Sequence, residues 1–126
     1  MRASVRTDAA PAALGPYSQA VRAGQFLFVS GQLALDPATA AFVEGGIAEQ
    51  TRRVLQNLSA ILEAGGASLA KVVRTTVYLA DLSDFAAMND VYATFFAPPY
   101  PARSTIQAAR LPKDARIEVD VIAYLD

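Results

Sequence analysis

The chain has 126 residues, of which 53% are apolar and 18% charged, and its formal net charge is −1. That length predicts one domain spanning residues 1–126, and that apolar content is the opposite of an intrinsically disordered composition. Eleven basic residues balanced by twelve acidic ones argue against an electrostatic grip on nucleic acid; the lack of histidine and cysteine removes imidazole bases, thiolate nucleophiles, disulfides and the commonest metal ligands.

The first residues, Met1-Arg2-Ala3-Ser4-Val5-Arg6, lead into no apolar run of signal-peptide type. No stretch approaches the ~20 apolar residues of a spanning helix, so a cytoplasmic protein without membrane contact is expected. Residues 8–16, rich in Ala, Pro and Gly, read as an ordered loop. Residues 17–24 and 25–35 read as strands joined by a tight turn at Ala23-Gly24. The run Phe26-Leu27-Phe28-Val29 suggests a strand buried on both faces. Asp36-Pro37-Ala38-Thr39 is a turn.

Residues 47–64 predict a long helix. Ile47, Val54, Leu55, Leu58, Ile61 and Leu62 form one stripe, while Gln50, Arg52, Arg53, Gln56 and Asn57 lie mostly off it. Gly65-Gly66 ends that helix. The β-branched segment 72–80 predicts a strand. Ser83 is placed to cap a second helix over 84–96, with Asp84 in its first turn and Phe85, Met88, Val91, Tyr92, Phe95 and Phe96 on its apolar side. Pro98-Pro99-Tyr100-Pro101 cannot continue it. Residues 102–109 and 116–125 predict the last two strands, most simply a hairpin about Pro112.

Strands, helix, strand, helix, strand, strand is an α+β order: a mixed β-sheet with two helices packed on one face. In the last strand Ile117, Val119, Val121, Ala123 and Leu125 alternate with Arg116, Glu118, Asp120, Ile122 and Tyr124. The first set is the helix-facing core. The second mixes charge with apolar groups, which favours a face partly covered by another subunit over a solvated one.

Without histidine, proton transfer must fall to carboxylates, Tyr, Lys, Arg, hydroxyls, backbone groups or water. Glu118, between Ile117 and Val119, is a candidate proton shuttle if desolvated; an outward-facing strand glutamate is the plain alternative. Arg103 suits a planar carboxylate, although its spacing alone reads first as a strand-edge arginine in solvent or paired to an acid. In a simple hairpin the two would lie ~13 Å apart along the sheet. Gly15-Pro16-Tyr17-Ser18 and Val29-Ser30-Gly31-Gln32 offer turn chemistry or ligand contacts equally well. Asn89, a poor helix former in mid-helix, hints at a side-chain role, with a surface position as the simpler reading.

Several segments together resemble the Rid family of reactive-intermediate deaminases, also called the YjgF family, and most closely its RidA subgroup. They are Ala10–Gln19, Val29-Ser30-Gly31-Gln32, Thr75–Phe85, Met88-Asn89 with Tyr92, Phe95 and Phe96, and Pro101–Ile106 followed by Arg110-Leu111-Pro112 and Ile117-Glu118-Val119. The resemblance spans almost the whole chain. It implies a chorismate-mutase-like α+β fold assembling as a homotrimer with sites between subunits. It implies cofactor-free hydrolysis of enamines and imines, such as 2-aminoacrylate, to 2-keto acids and ammonia. Carried over by residue, it implies that Arg103 binds the substrate carboxylate and that Glu118 activates water or moves the proton. Tyr17, Ser30, Gly31 and Asn89 would line the cleft. Thr105 stands where many RidA members have Cys, and Val119 where Ile or Met is common. The readings left beside this one are a keto-acid-binding regulatory trimer, a ribonuclease, and a narrower deaminase serving one pathway.

Overall fold

The computed structural model describes residues 1–126. Six strands and two helices follow in the order β1 (Arg2–Val5), β2 (Ala20–Ala23), β3 (Phe26–Gln32), α1 (Ile47–Ala64), β4 (Val72–Leu79), α2 (Phe85–Tyr92), β5 (Ala102–Gln107) and β6 (Ile117–Tyr124). They form one mixed sheet in the order β1-β2-β3-β6-β4-β5. Every pairing is antiparallel except β4–β5.

The helix-facing side is the core. In α1, Val54, Leu55, Leu58, Ile61 and Leu62 are fully buried, as their spacing requires. Burying each such side chain contributes roughly 1.5–3 kcal/mol relative to leaving it exposed. They meet Ile117, Val119, Val121 and Ala123 of β6, Leu27 and Val29 of β3, and Val77 and Leu79 of β4. The end of α1 follows from Gly66, whose φ of +86° lets Ala67 N–H reach back to the Leu62 carbonyl at 2.8 Å.

Several expectations are corrected. Residues 17–19 are loop rather than strand, and residues 2–5, given no element by their pattern, form an edge strand beside β2. Phe26 and Phe28 are not buried on both faces: they are 46% and 45% exposed, with only Leu27 and Val29 inside. Ser83 does not cap α2. It lies in a 3-10 turn, Leu82–Asp84, whose cap is Asp81, with the Asp81 carboxylate accepting the Ser83 N–H at 2.9 Å. That backbone hydrogen bond holds the Asp81 carboxyl below its ordinary pKa. Asp84 instead takes two hydrogen bonds from Arg116, at 3.0 and 3.1 Å. The helix α2 stops at Tyr92 because the bonds from Thr94 and Phe95 N–H tighten to the third residue back.

The largest correction concerns β5. It makes no hairpin with β6 but runs parallel to β4, reached through the α2 crossover, with Thr75 opposite Arg103 and Tyr78 opposite Ile106. β4 thus separates β5 from β6.

Asn57 also departs from expectation: it is fully buried. Its amide donates to the carbonyls of Leu33 and Leu35 at 3.2 and 3.0 Å, and its oxygen accepts from Arg53 Nε at 3.0 Å. It therefore ties α1 to the segment after β3. Asn57→Ala leaves these groups unpartnered, which costs about 1–3 kcal/mol. The expected outcome is a lower denaturant midpoint with an unchanged m value.

Candidate functional site

The predicted site residues fall into two groups on different parts of the chain. The first gathers where β3 meets β6. Val29 pairs with Val121 and Gln32 with Val119, so Ser30 and Gly31 together oppose Asp120 alone. This is a bulge, which locally bends the strand and re-aims its side chains. Gly31 sits against the Glu118 side chain. A Cβ at residue 31 would lie 2.9 Å from Glu118 Cδ, so the space Glu118 occupies exists because residue 31 has no side chain. A cavity of about 640 Å³ opens here, lined by Tyr17, Ser30, Gly31 and Glu118 along with Leu14, Leu33, Leu35 and Lys113.

The loop that brings Tyr17 to this cavity is held from beneath by buried Gln19. Its side-chain oxygen accepts the Thr7 N–H at 2.7 Å, and its amide donates to the carbonyls of Thr7 and Pro11 at 3.1 and 2.8 Å. The Ser30 hydroxyl donates to the Ser18 carbonyl at 2.6 Å, so its proton serves the loop. Tyr17 is 54% exposed.

Glu118 is half-buried on the open side of the sheet. Burial, reinforced by the charge of Asp120, pushes its pKa above the ordinary glutamate value. Asp120 accepts the Tyr78 hydroxyl at 3.0 Å. Burial, together with that carboxylate, raises the Tyr78 phenol as well.

The second group lies on the helix side at the β5 edge. Arg103 Nη1 donates to Asn89 Oδ1 at 2.7 Å. The guanidinium lies 4.7 Å from the Tyr92 ring centroid and 5.5 Å from that of Phe85. Asn89 is thus no idle surface residue: its oxygen is spent on Arg103. Thr105, two residues on, has a buried hydroxyl with no partner.

Arg103 and Glu118 do not converge within one chain. Arg103 shares the helix side with its register partner Thr75, whereas Glu118 shares the open side with Tyr78. Two strand spacings and three residues of register put their Cα atoms about 14 Å apart, on opposite faces. The expected separation along one hairpin is replaced by separation through the sheet.

Tyr92, read from the sequence as core, and Phe85 join Asn89 around Arg103. The spacing 85, 89, 92 puts all three on one face of α2, and that periodicity was the available signal. Glu118's other neighbour, Asp120, was visible as a same-face residue. No three His, Cys, Asp or Glu side chains gather as a metal-binding cluster, and no helix is long and apolar enough to cross a membrane.

The chain as a whole has clear counterparts. The family pattern described as Endoribonuclease L-PSP matches residues 7–125. Reactive Intermediate Deaminase A, chloroplastic, of Arabidopsis thaliana is 52% identical over 121 residues, covering 96% of this chain and 65% of that protein. The 2-iminobutanoate/2-iminopropanoate deaminase of Bos taurus is 46% identical over 123 residues, covering 98% and 90%. The crystal structure of E. coli TdcF with bound serine superposes with a TM-score of 0.94 at 41% identity, covering 98% and 99%. The chain belongs to the Endoribonuclease L-PSP family, and within it to the RidA-like reactive intermediate deaminases.

The two causes acting on Glu118 can be separated. Asp120→Asn removes the nearby charge but leaves the burial and an oxygen for Tyr78. The Glu118 pKa should fall toward the ordinary value without reaching it, read from the 13C titration of its carboxyl carbon. A carboxyl raised in the folded state binds its proton more tightly there, so the native state loses stability as pH rises from the unfolded glutamate value through the folded one. In Asp120→Asn that loss should shrink.

Proposed function

We propose that this protein is a cofactor-independent deaminase. It hydrolyses 2-imino acids and their enamine tautomers, 2-aminoacrylate among them, to 2-keto acids and ammonia. The observation that carries this reading is the pairing of chemistries in the two groups. One holds a carboxyl tuned upward by burial beside an open cavity, and the other an arginine with no acidic partner. An imino acid needs both: a fork for its carboxylate, and a proton-bearing group beside C2.

In this mechanism Arg103 grips the substrate carboxylate through two parallel hydrogen bonds, fixing the imine carbon relative to Glu118. The enamine first takes a proton at C3 to give the iminium. Glu118 as carboxylate then takes a proton from water as the water oxygen bonds to C2. The protonated Glu118 returns that proton to nitrogen. As the C–N bond breaks and ammonia leaves, the hydroxyl on C2 gives its proton to the freed Glu118 carboxylate and becomes the carbonyl of the keto acid. This leaves Glu118 protonated and able to supply the C3 proton of the next enamine. An elevated pKa suits a group that must both take and give a proton near neutrality. Tyr17, Gly31 and Thr105 line the bound substrate, while Ser30 and Asn89 hold the two walls. The relatives' printed names, which are imine and reactive-intermediate deaminases, support this chemistry. Serine bound to TdcF supports a small amino-acid-like ligand. The endoribonuclease wording of the family pattern describes a reaction for which this chain offers no histidine and no excess of basic charge.

The reading requires the two half-sites to meet between copies. We infer a homotrimer in which Glu118 of one protomer faces Arg103 of the next. The outward-facing Phe26, Phe28, Ile106 and Tyr124, which are 39–47% exposed in the single chain, supply apolar area for that contact. Light scattering at micromolar concentration should report three times the 13.3 kDa chain mass. A monomer would remove the intersubunit site.

The chemical roles separate by substitution. Arg103→Lys keeps the charge but loses the planar fork, so pyruvate affinity and imine turnover should both fall with the fold intact. Glu118→Gln preserves shape but cannot carry a proton. Its kcat for imine hydrolysis should drop about 10²-fold, the lower end for general acid–base catalysis because the substrate is already labile, with pyruvate affinity retained. A wild-type kcat would remove Glu118 from the chemistry.

A further inference from the structure

We propose that Tyr92, pinned by Thr75, is a positioning residue that sets the plane of the Arg103 guanidinium. The inference rests on the carboxylate-gripping role proposed for Arg103, and it names what makes that grip directional.

Three observations carry it. The first is how Arg103 is held. Asn89 Oδ1 is its only protein acceptor, and no Asp or Glu forms an ion pair with it. The remaining support comes from two ring faces, Tyr92 at 4.7 Å and Phe85 at 5.5 Å. A holding carboxylate would occupy the fork and compete with a substrate carboxylate. A neutral amide and aromatic faces restrain the same group while leaving its charge and most of its donors free.

The second observation is how Tyr92 is itself held. It is 6% exposed, its ring packs on Phe96 at 4.6 Å between centroids, and its hydroxyl lies 2.9 Å from Thr75 Oγ1. Packing alone would be served by phenylalanine. The hydroxyl adds a directional tie to a threonine that is fully buried.

The third observation closes the circuit. Thr75 is the register partner of Arg103 across the β4–β5 ladder. The strand pairing sets Thr75 beside the Arg103 backbone, Thr75 sets the Tyr92 ring, and the ring faces the Arg103 guanidinium. A long side chain with several rotamers available is thereby referenced to its own backbone through three contacts. Two-point recognition of a carboxylate needs the plane of the fork defined, which a charge alone does not supply.

The test uses the full assembled protein, with pyruvate as the binding probe and freshly generated 2-iminopropanoate as the substrate. Tyr92→Leu and Thr75→Val are each made alone and in the Arg103→Lys background, with thermal unfolding measured on all. Tyr92→Leu should weaken pyruvate binding about tenfold or more and raise KM similarly, with kcat within about threefold of wild type. Thr75→Val, which keeps side-chain volume but removes the hydroxyl, should weaken pyruvate binding by about three- to tenfold. In the Arg103→Lys background neither should add more than about twofold, because the plane being positioned is gone. Losses that multiply fully with that of Arg103→Lys would mark a merely structural role and overturn the proposal. So would wild-type pyruvate affinity in both single variants when Arg103→Lys has lost it. If Arg103→Lys itself keeps pyruvate affinity, the carboxylate role of Arg103 fails first, and this proposal falls with it. If Tyr92→Leu does not fold, Thr75→Val alone decides by the same criteria.

Discussion

Two helices cover one face of a six-stranded sheet and leave the other open, and most of the chain's properties follow from that asymmetry. On the covered side, α1 and α2 bury Leu55, Leu58, Ile61 and Met88 against Ile117, Val119 and Val121, giving a continuous apolar core. On the open side, β3 and β6 hold Phe26, Phe28 and Tyr124 outward beside Glu118 and Asp120. Large aromatics in such a position are costly in water, so the open face is the natural surface for association. The proposed trimer answers both needs, since it would cover the aromatics and complete the cleft beside Glu118.

The cleft walls depend on buried polar ties more than on apolar packing. Loop segments cannot bury their backbone groups without partners. Gln19 satisfies the N-terminal loop at Thr7 and Pro11, and Asn57 satisfies Leu33 and Leu35 from the neighbouring helix. Each uses one amide side chain to fix a stretch of irregular chain that lines the same cavity. The bulge at Ser30-Gly31 adds the third wall, because two residues opposite one displace the strand where Glu118 needs room.

The two charged groups are tuned by opposite means. Glu118 is placed where burial and a like charge make ionisation harder, which suits the proton exchange proposed for it. Arg103 cannot lose its charge, so its surroundings act on orientation: a neutral amide, two rings and a hydroxyl-pinned tyrosine. Glu118 and Arg103 thus lie on opposite faces of one sheet, and with them the proton transfer and carboxylate recognition proposed for these residues. That separation is what the proposed trimer bridges, by setting one face of a protomer against the other face of the next.

Local pattern determined much of this chain. The 3.6 period set α1 over 47–64, and strict alternation put Ile117, Val119, Val121 and Ala123 inside. The motifs around Ser30, Asn89, Arg103 and Glu118 carry the resemblance to the family without any geometry. Tertiary structure decided the rest. Asn57 looked peripheral because helical periodicity ranks side chains by polarity, and its burial depends on carbonyls more than twenty residues away. The place of β5 was not legible because two sequential strands near a proline satisfy a hairpin and a crossover equally well. The choice fell to α2, whose apolar side packs over the sheet and returns the chain from the end of β4 to pair beside it, in parallel, as β5. That choice put Arg103 and Glu118 on opposite faces, since side-chain direction in a strand is set by its register with neighbours, and register is a long-range property that no local sequence pattern contains.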